Sequence, residues 1–136
     1  PNFSEAHNNL GNVFKEHGEL GDAVKSYKKA VELNSDFAEA YYNLGNTYKY
    51  LKDYQNAEMQ YEAAININEK YISSISNMAN LKNETFHFKD AIKFYKRAIS
   101  INDNILISKF INSTFFFSNI FINIKYISTL SFAFWL

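Results

Sequence analysis

The sequence repeats with a period of 34 residues, and this period restricts the fold more than any other feature. Five sets of identical residues follow it. They are Asn9, Asn43 and Asn77; Asn12, Asn46 and Asn80; Ala23, Ala57 and Ala91; Tyr27, Tyr61 and Tyr95; and Ala30, Ala64 and Ala98. Self-similarity of this length is typical of arrays in which each unit buries its apolar face only against its neighbours. We therefore expect a stacked array of similar units.

Each unit contains two stretches with apolar residues at helical spacing, such as Tyr41, Leu44 and Tyr48 in the second unit. Small residues recur within both stretches, and a glycine inside a helix costs about 1 kcal/mol relative to alanine. Gly11 and Gly45 are therefore expected where two antiparallel helices cross closely. The pattern predicts an all-α protein, with helices over residues 4–17, 20–34, 38–51, 54–68, 72–85 and 88–102.

The phase and the residue types resemble the tetratricopeptide repeat family, whose unit is a helix–turn–helix. The units begin at Ser4, Ala38 and Ile72, which are position 1 of each repeat. The second unit matches the family pattern best, through Tyr41, Leu44, Gly45, Tyr48, Ala57, Tyr61 and Ala64. The third departs from it at position 11, which is Lys82, and no unit has the family's usual proline at position 32.

The resemblance implies a right-handed solenoid of helical hairpins over residues 4–103, each made of a helix A and a helix B. The three units cover approximately residues 4–37, 38–71 and 72–105. An apolar C-terminal segment rich in Phe, Ile and Asn, residues 104–136, does not continue the repeat.

Three interpretations of this segment stay open. Residues 105–117 could form a helix that caps the last repeat. Residues 115–136 are long enough for a membrane anchor, although Lys125 in their middle opposes insertion by about 2.5–3.5 kcal/mol. The composition also fits A/T-rich codons read through in error. Because the chain begins with Pro1 and not Met, we interpret it as part of a longer protein.

The composition argues against several classes of function. The formal net charge is zero, so no basic surplus indicates nucleic acid as a partner. The absence of cysteine excludes disulfides and thiolate metal sites, and no signal peptide is evident at the N-terminus. We expect a cytoplasmic or nuclear protein.

No group of residues in the sequence suggests catalysis or a cofactor. The three histidines, His7, His17 and His87, lack the spacing of a metal-binding helix face. The four glycines are explained by turns and helix packing, and no nucleophile–base pair is evident. We therefore expect no enzyme activity, no cofactor and no metal within this chain.

In the family that the sequence resembles, helix A of each unit lines a concave groove through positions 2, 5, 6, 9, 12 and 13. This implies peptide contacts from Asn8, Asn9, Asn12, Lys15, Glu39, Tyr42, Asn43, Asn46, Lys49, Tyr50, Ser73, Asn77 and Asn80. The same positions also hold Glu5, Glu16, Ser76, Asn83 and Glu84. Such a groove would receive a protein or peptide partner; the oligomeric state is left open.

The implied groove is rich in asparagine, whose amide offers both a donor and an acceptor to a peptide backbone. Alternatively, these asparagines serve the repeat itself. If they bind a client, Asn43→Ala with Asn46→Ala should weaken binding and leave the helices intact.

Two kinds of family member provide comparisons for the partner. Chaperone adaptors bind a C-terminal carboxylate with basic residues where this chain has Asn8, Ser73 and Asn77, so that role is rejected here. The asparagine rows look more like the arrays that precede the catalytic domain of O-linked N-acetylglucosamine transferases. The leading hypothesis is a protein-interaction module. The alternatives are a substrate-docking fragment of such a glycosyltransferase and a tail-anchored membrane adaptor.

Overall fold

The computed structural model describes residues 3–101, which form six α-helices. They are α1 (Phe3–Glu16), α2 (Leu20–Leu33), α3 (Ala38–Tyr50), α4 (Tyr54–Ile67), α5 (Ile72–Glu84) and α6 (Phe88–Ile101). The helices predicted from the 34-residue pattern are confirmed, and no end differs from its prediction by more than one residue.

The helices pack as three successive hairpins. We name them hairpin 1 (α1 and α2), hairpin 2 (α3 and α4) and hairpin 3 (α5 and α6). Consecutive hairpins meet where α2 packs on α3 and where α4 packs on α5, and α3 also contacts both α1 and α5. This order gives the helical-hairpin solenoid expected from the sequence, with α1, α3 and α5 side by side.

The turn inside each hairpin has the same hydrogen-bonding geometry. In hairpin 1, the N–H of Gly18 donates to the carbonyl of Lys15, and the next N–H donates to the carbonyl of Phe14. These two bonds close the end of a helix when one residue adopts the left-handed conformation. Gly18 does so with φ of +80°, and the equivalent residues Lys52 and Phe86 have φ of +63° and +64°. A bulky residue in this conformation is strained.

The two glycines lie where the helices of a hairpin cross. A Cβ atom at Gly11 would be 2.6 Å from the ring of Tyr27, and one at Gly45 would be 2.8 Å from the ring of Tyr61. Both rings are completely buried. The close helix crossing predicted from the glycines is therefore confirmed, and the tyrosine at position 24 fills the space that each glycine leaves.

Positions 3, 7 and 10 of helix A form the surface that meets the preceding hairpin. In α3 and α5 these residues are all buried; they are Ala40, Leu44, Thr47, Ser74, Met78 and Leu81. In α1, Leu10 is 43% exposed and Val13 is 49% exposed. The described part of the chain has no hairpin before α1, so this apolar surface faces outward.

No helix within residues 3–101 is long and apolar enough to cross a membrane. The interpretations of the C-terminal segment, including the anchor over residues 115–136, lie outside the described residues. The boundaries assigned to the repeat units and the segment stay predictions.

Candidate functional site

A concave cavity of about 890 Å³ runs across the side of the array formed by α1, α3 and α5. We call it the groove. Its lining residues are Lys15, Gly18, Leu20, Tyr42, Asn46, Lys49, Tyr50, Lys52, Asn77 and Glu84. All three hairpins contribute to it, so a ligand in the groove would contact successive repeats at once.

Several of the predicted contact residues line the groove, and several do not. Those that do are Lys15, Tyr42, Asn46, Lys49, Tyr50 and Asn77. Those outside its lining are Asn8, Asn9, Asn12, Glu39, Asn43, Ser73 and Asn80. Glu84 occupies one of the family's groove positions, whereas Gly18, Leu20 and Lys52 were missed because they follow helix A. Peptide contact by any of these residues stays a prediction.

The asparagines at position 9 accept a hydrogen bond from the tyrosine of the same hairpin. Each tyrosine hydroxyl donates to an amide oxygen: Tyr27 to Asn12 at 2.7 Å, Tyr61 to Asn46 at 2.8 Å, and Tyr95 to Asn80 at 2.6 Å. The bond spans fifteen residues each time and joins helix A to helix B. These asparagines therefore support the hairpin, as the alternative interpretation of the asparagine pattern requires.

The asparagines at positions 5 and 6 connect one hairpin to the next. Asn43 Nδ2 donates to Asn8 Oδ1 at 3.0 Å, and Asn8 Nδ2 donates to Glu39 Oε1 at 3.3 Å. Asn8 is only 2% exposed and Asn43 only 7% exposed. Between α5 and α3, Asn77 Nδ2 donates to Asn46 Oδ1 at 2.7 Å.

These contacts change how the asparagines should be tested. Asn43→Ala would leave the buried Asn8 oxygen without its donor, and Asn46→Ala would leave the buried Tyr61 hydroxyl without its acceptor. An unsatisfied buried polar group costs about 1–3 kcal/mol. The double substitution would therefore alter folding as well as any binding, and it is not a clean test of the groove.

A layer of tyrosines lies between the groove and the core. Tyr42 lines the groove, and its ring centroid is 5.5 Å from that of Tyr71 and 6.4 Å from that of Tyr61. Burial raises the pKa of Tyr27 and of Tyr71 to about 12, and it raises the pKa of Tyr61 as well. At neutral pH all of these hydroxyls are protonated and able to donate.

The charged residues of the groove are three lysines and one glutamate. Lys49 Nζ lies 2.6 Å from Glu84 Oε1, so an ion pair joins α3 to α5 across the groove. Neither Lys15 nor Lys52 forms a salt bridge with another residue in the range 3–101. The groove therefore carries an excess of positive charge although the whole chain is neutral.

Residues 3–101 contain no group of three or more His, Cys, Asp or Glu side chains that could hold a metal ion. His17 and His87 are exposed, and His87 Nδ1 lies 3.0 Å from Thr85 Oγ1. The expectation that the chain uses no cofactor stays a prediction.

Comparisons with known structures show the same architecture in other proteins. The first TPR domain of Spaghetti (RPAP3) bound to the HSP90 peptide SRMEEVD superposes with a TM-score of 0.74 at 20% identity, over 79% of this chain and 85% of that one. The Arabidopsis OM64 TPR domain superposes with a TM-score of 0.74 at 22% identity, over 80% of this chain and 92% of that domain. MamA superposes with a TM-score of 0.71 at 31% identity, over 76% of this chain and 60% of MamA.

A search of curated proteins gave no significant match. Two family models match the sequence, one described as TPR repeat over residues 11–52 and one as tetratricopeptide repeat over residues 36–104. The second covers about half of the chain. With the 34-residue period and the three hairpins, these matches establish that the chain belongs to the tetratricopeptide repeat family.

Proposed function

We propose that this array is a protein-interaction module that holds an extended peptide in the groove. The observation that carries the proposal is the groove itself, because its lining is supplied by all three hairpins and combines apolar and charged side chains. Pockets that bind ligands are concave and mix apolar walls with a few polar groups that orient the ligand. The related Spaghetti domain, which shares the fold, is bound to a peptide.

Tyr50 is the side chain best placed to contact a peptide. It lines the groove and is 71% exposed, and none of the side-chain hydrogen bonds within residues 3–101 uses its hydroxyl. Tyrosine provides a large contact area with few rotatable bonds, which is why it is enriched at binding surfaces. Tyr42 lies deeper and is held by neighbouring rings, so it forms part of the floor.

Asn46 would act toward the peptide as a donor. Asn46 Oδ1 already accepts from Tyr61 and Asn77, whereas Asn46 Nδ2 donates to no atom of residues 3–101. The free N–H groups suit the carbonyls of an extended peptide backbone. For Asn46 this differs from the two-sided backbone pairing expected from the sequence, because its amide oxygen is occupied within the protein.

The proposal is tested by selecting random 12-residue peptides, displayed on phage, against the full chain. Affinities of the enriched peptides are then measured by fluorescence anisotropy for the unmodified chain, Tyr50→Ala and Met59→Ala. Met59 is the control, since it is an exposed apolar residue on α4 that does not line the groove. We expect Tyr50→Ala to weaken binding about tenfold, as loss of an interface tyrosine commonly does, and Met59→Ala to have no effect. Failure to enrich any peptide, or equal effects of the two variants, would contradict the proposal.

The glycosyltransferase-docking fragment and the tail-anchored adaptor both depend on residues or domains outside the range 3–101. They therefore stay predictions, as does the cytoplasmic or nuclear location.

A further inference from the structure

One end of the groove is basic. Lys15 and Lys49 belong to the last turns of α1 and α3, and Lys52 lies in the turn that follows α3. All three side chains line the same cavity, and Glu84 is the single acid among its lining residues. We call Lys15, Lys49 and Lys52 the basic end of the groove.

The lysines of the basic end are only partly balanced by the protein. Lys49 is paired with Glu84, while Lys15 and Lys52 form no salt bridge with residues 3–101. The side chain of Lys49 is 26% exposed and that of Glu84 is 42% exposed, so the pair lies at the rim of the cavity. A concave site lined by one sign of charge concentrates its field and attracts ligands of the opposite charge.

Lys15 and Lys49 would also stabilise the ends of their own helices, where positive charge is favourable. That role does not account for the ion pair between Lys49 and Glu84, which joins two different hairpins. It also does not account for Lys52, which carries a long side chain at a position where the backbone geometry favours glycine. Both lysines line the same cavity as Lys15.

We propose that the basic end is a subsite for a carboxylate side chain of the bound peptide, and that Glu84 occupies it in the absence of ligand. The inference rests on the proposed peptide-binding function and names the chemistry of the ligand: an extended segment with an internal Asp or Glu. Tyr50 lines the same cavity, so the acid is followed or preceded by an apolar or aromatic residue.

Glu84 acts as an internal competitor. Ion pairs at a solvent-accessible rim contribute little to stability, because water screens both charges. Exchanging the carboxylate of Glu84 for that of a ligand therefore requires little rearrangement. Replacing Glu84 by glutamine removes the competing charge and leaves the Lys49 ammonium free to bind a carboxylate of the peptide.

The test is the same random peptide selection performed in parallel on three chains: the unmodified protein, a groove variant and a control variant. The groove variant is Lys15→Gln with Lys49→Gln and Lys52→Gln. The control is Lys25→Gln with Lys28→Gln and Lys29→Gln, which removes the same charge from exposed residues of α2 that do not line the groove. The C-termini of the displayed peptides are fused to the coat protein, so any selected acid is internal.

We expect Asp and Glu to be enriched among peptides selected by the unmodified and control chains, but not by the groove variant. A selected acidic peptide should bind the groove variant about tenfold more weakly and should bind Glu84→Gln several-fold more tightly. Equal acid content in the peptides selected by all three chains would overturn the acidic subsite and leave the peptide-binding function standing. Failure of every chain to select any peptide would overturn both.

Discussion

Hairpins 1 and 2 differ from hairpin 3 by a single methyl group at the helix crossing. Gly11 and Gly45 allow the rings of Tyr27 and Tyr61 to be completely buried. The third hairpin has Ala79 at this position, and its tyrosine is partly exposed. All three hairpins nevertheless keep the tyrosine–asparagine hydrogen bond, at 2.6–2.8 Å. The hydrogen bond therefore persists in the hairpin whose tyrosine is only partly buried.

The surface of α5 that faces hairpin 2 is also more polar than the equivalent surface of α3. At position 3, Ala40 is replaced by Ser74, whose buried hydroxyl has no hydrogen-bond partner within the described structure. At position 11, Tyr48 is replaced by Lys82, which pairs with Glu58 of hairpin 2. Hairpin 3 thus joins the array through an ion pair where hairpin 2 uses an aromatic ring.

Alkaline pH should have the largest effect, because it acts on every buried tyrosine together. The pKa of Tyr27 is raised to about 12 by burial, above its ordinary value of 10. The folded state keeps this proton between pH 10 and pH 12 while the unfolded state loses it. Stability is therefore complete below pH 10 and falls as the pH approaches 12. Circular dichroism at 222 nm should follow the loss of helix.

The comparison between hairpins is sharpened by removing one hydroxyl at a time. Tyr27→Phe should reduce the loss of stability between pH 10 and pH 12 more than Tyr95→Phe does, because the Tyr27 ring is fully buried and the Tyr95 ring only partly. An identical alkaline profile for both variants would show that the difference in burial has no energetic consequence.

Adding a methyl group to hairpin 2 should have the next largest effect. The Cβ atom of Gly45→Ala would lie 2.8 Å from the Tyr61 ring and 3.3 Å from the Ala57 carbonyl. Overpacking of this kind costs about 1–3 kcal/mol, which is only partly offset by the better helix propensity of alanine. Urea denaturation should therefore show a free energy of unfolding about 1–2 kcal/mol lower.

The reciprocal substitution in hairpin 3 provides the control. Ala79→Gly should destabilise the protein by about 1 kcal/mol through helix propensity alone. If Gly45→Ala proves neutral instead, the glycine is not needed for the fold.

The smallest effect is expected at Ser74. Ser74→Ala removes a buried hydroxyl that has no partner in the described structure and reproduces the alanine of the equivalent position in α3. We expect a gain of about 1 kcal/mol in the free energy of unfolding, because the unsatisfied group no longer loses its hydration. Thr47→Ala is the contrasting variant, since Thr47 Oγ1 donates to the Asn43 carbonyl at 2.8 Å. A loss of stability for Ser74→Ala would indicate a hydrogen bond to the serine in solution.

The sequence predicts the helices and their crossings well because both depend on local spacing. The helix ends predicted from the 34-residue period agree with those of the structure to within one residue. The two helix glycines, Gly11 and Gly45, lie where the helices of a hairpin cross closely. The tyrosine–asparagine bonds could also have been predicted, since Tyr27 and Asn12 recur together with a constant separation in every unit.

The groove was harder to predict, because its lining depends on which side chains turn toward one another. Asn43 occupies a family groove position, yet its amide is directed to Asn8 and is buried. Lys52 was missed because it lies in the turn after helix A, where its backbone is left-handed, and not at one of the family's groove positions. Pairing of charges between hairpins, as in Lys49 and Glu84, has no signal in a single sequence.

The order of helix packing has a consequence for how the chain folds. Within residues 3–101, no helix contacts another more than two places away in the chain. Folding therefore requires no long loop to close, and such topologies reach the native state quickly. It also means that hairpin 3 can open while the first two stay intact, since neither α4, α5 nor α6 contacts hairpin 1. Amide hydrogen exchange should accordingly be faster in hairpin 3 than where α2 meets α3.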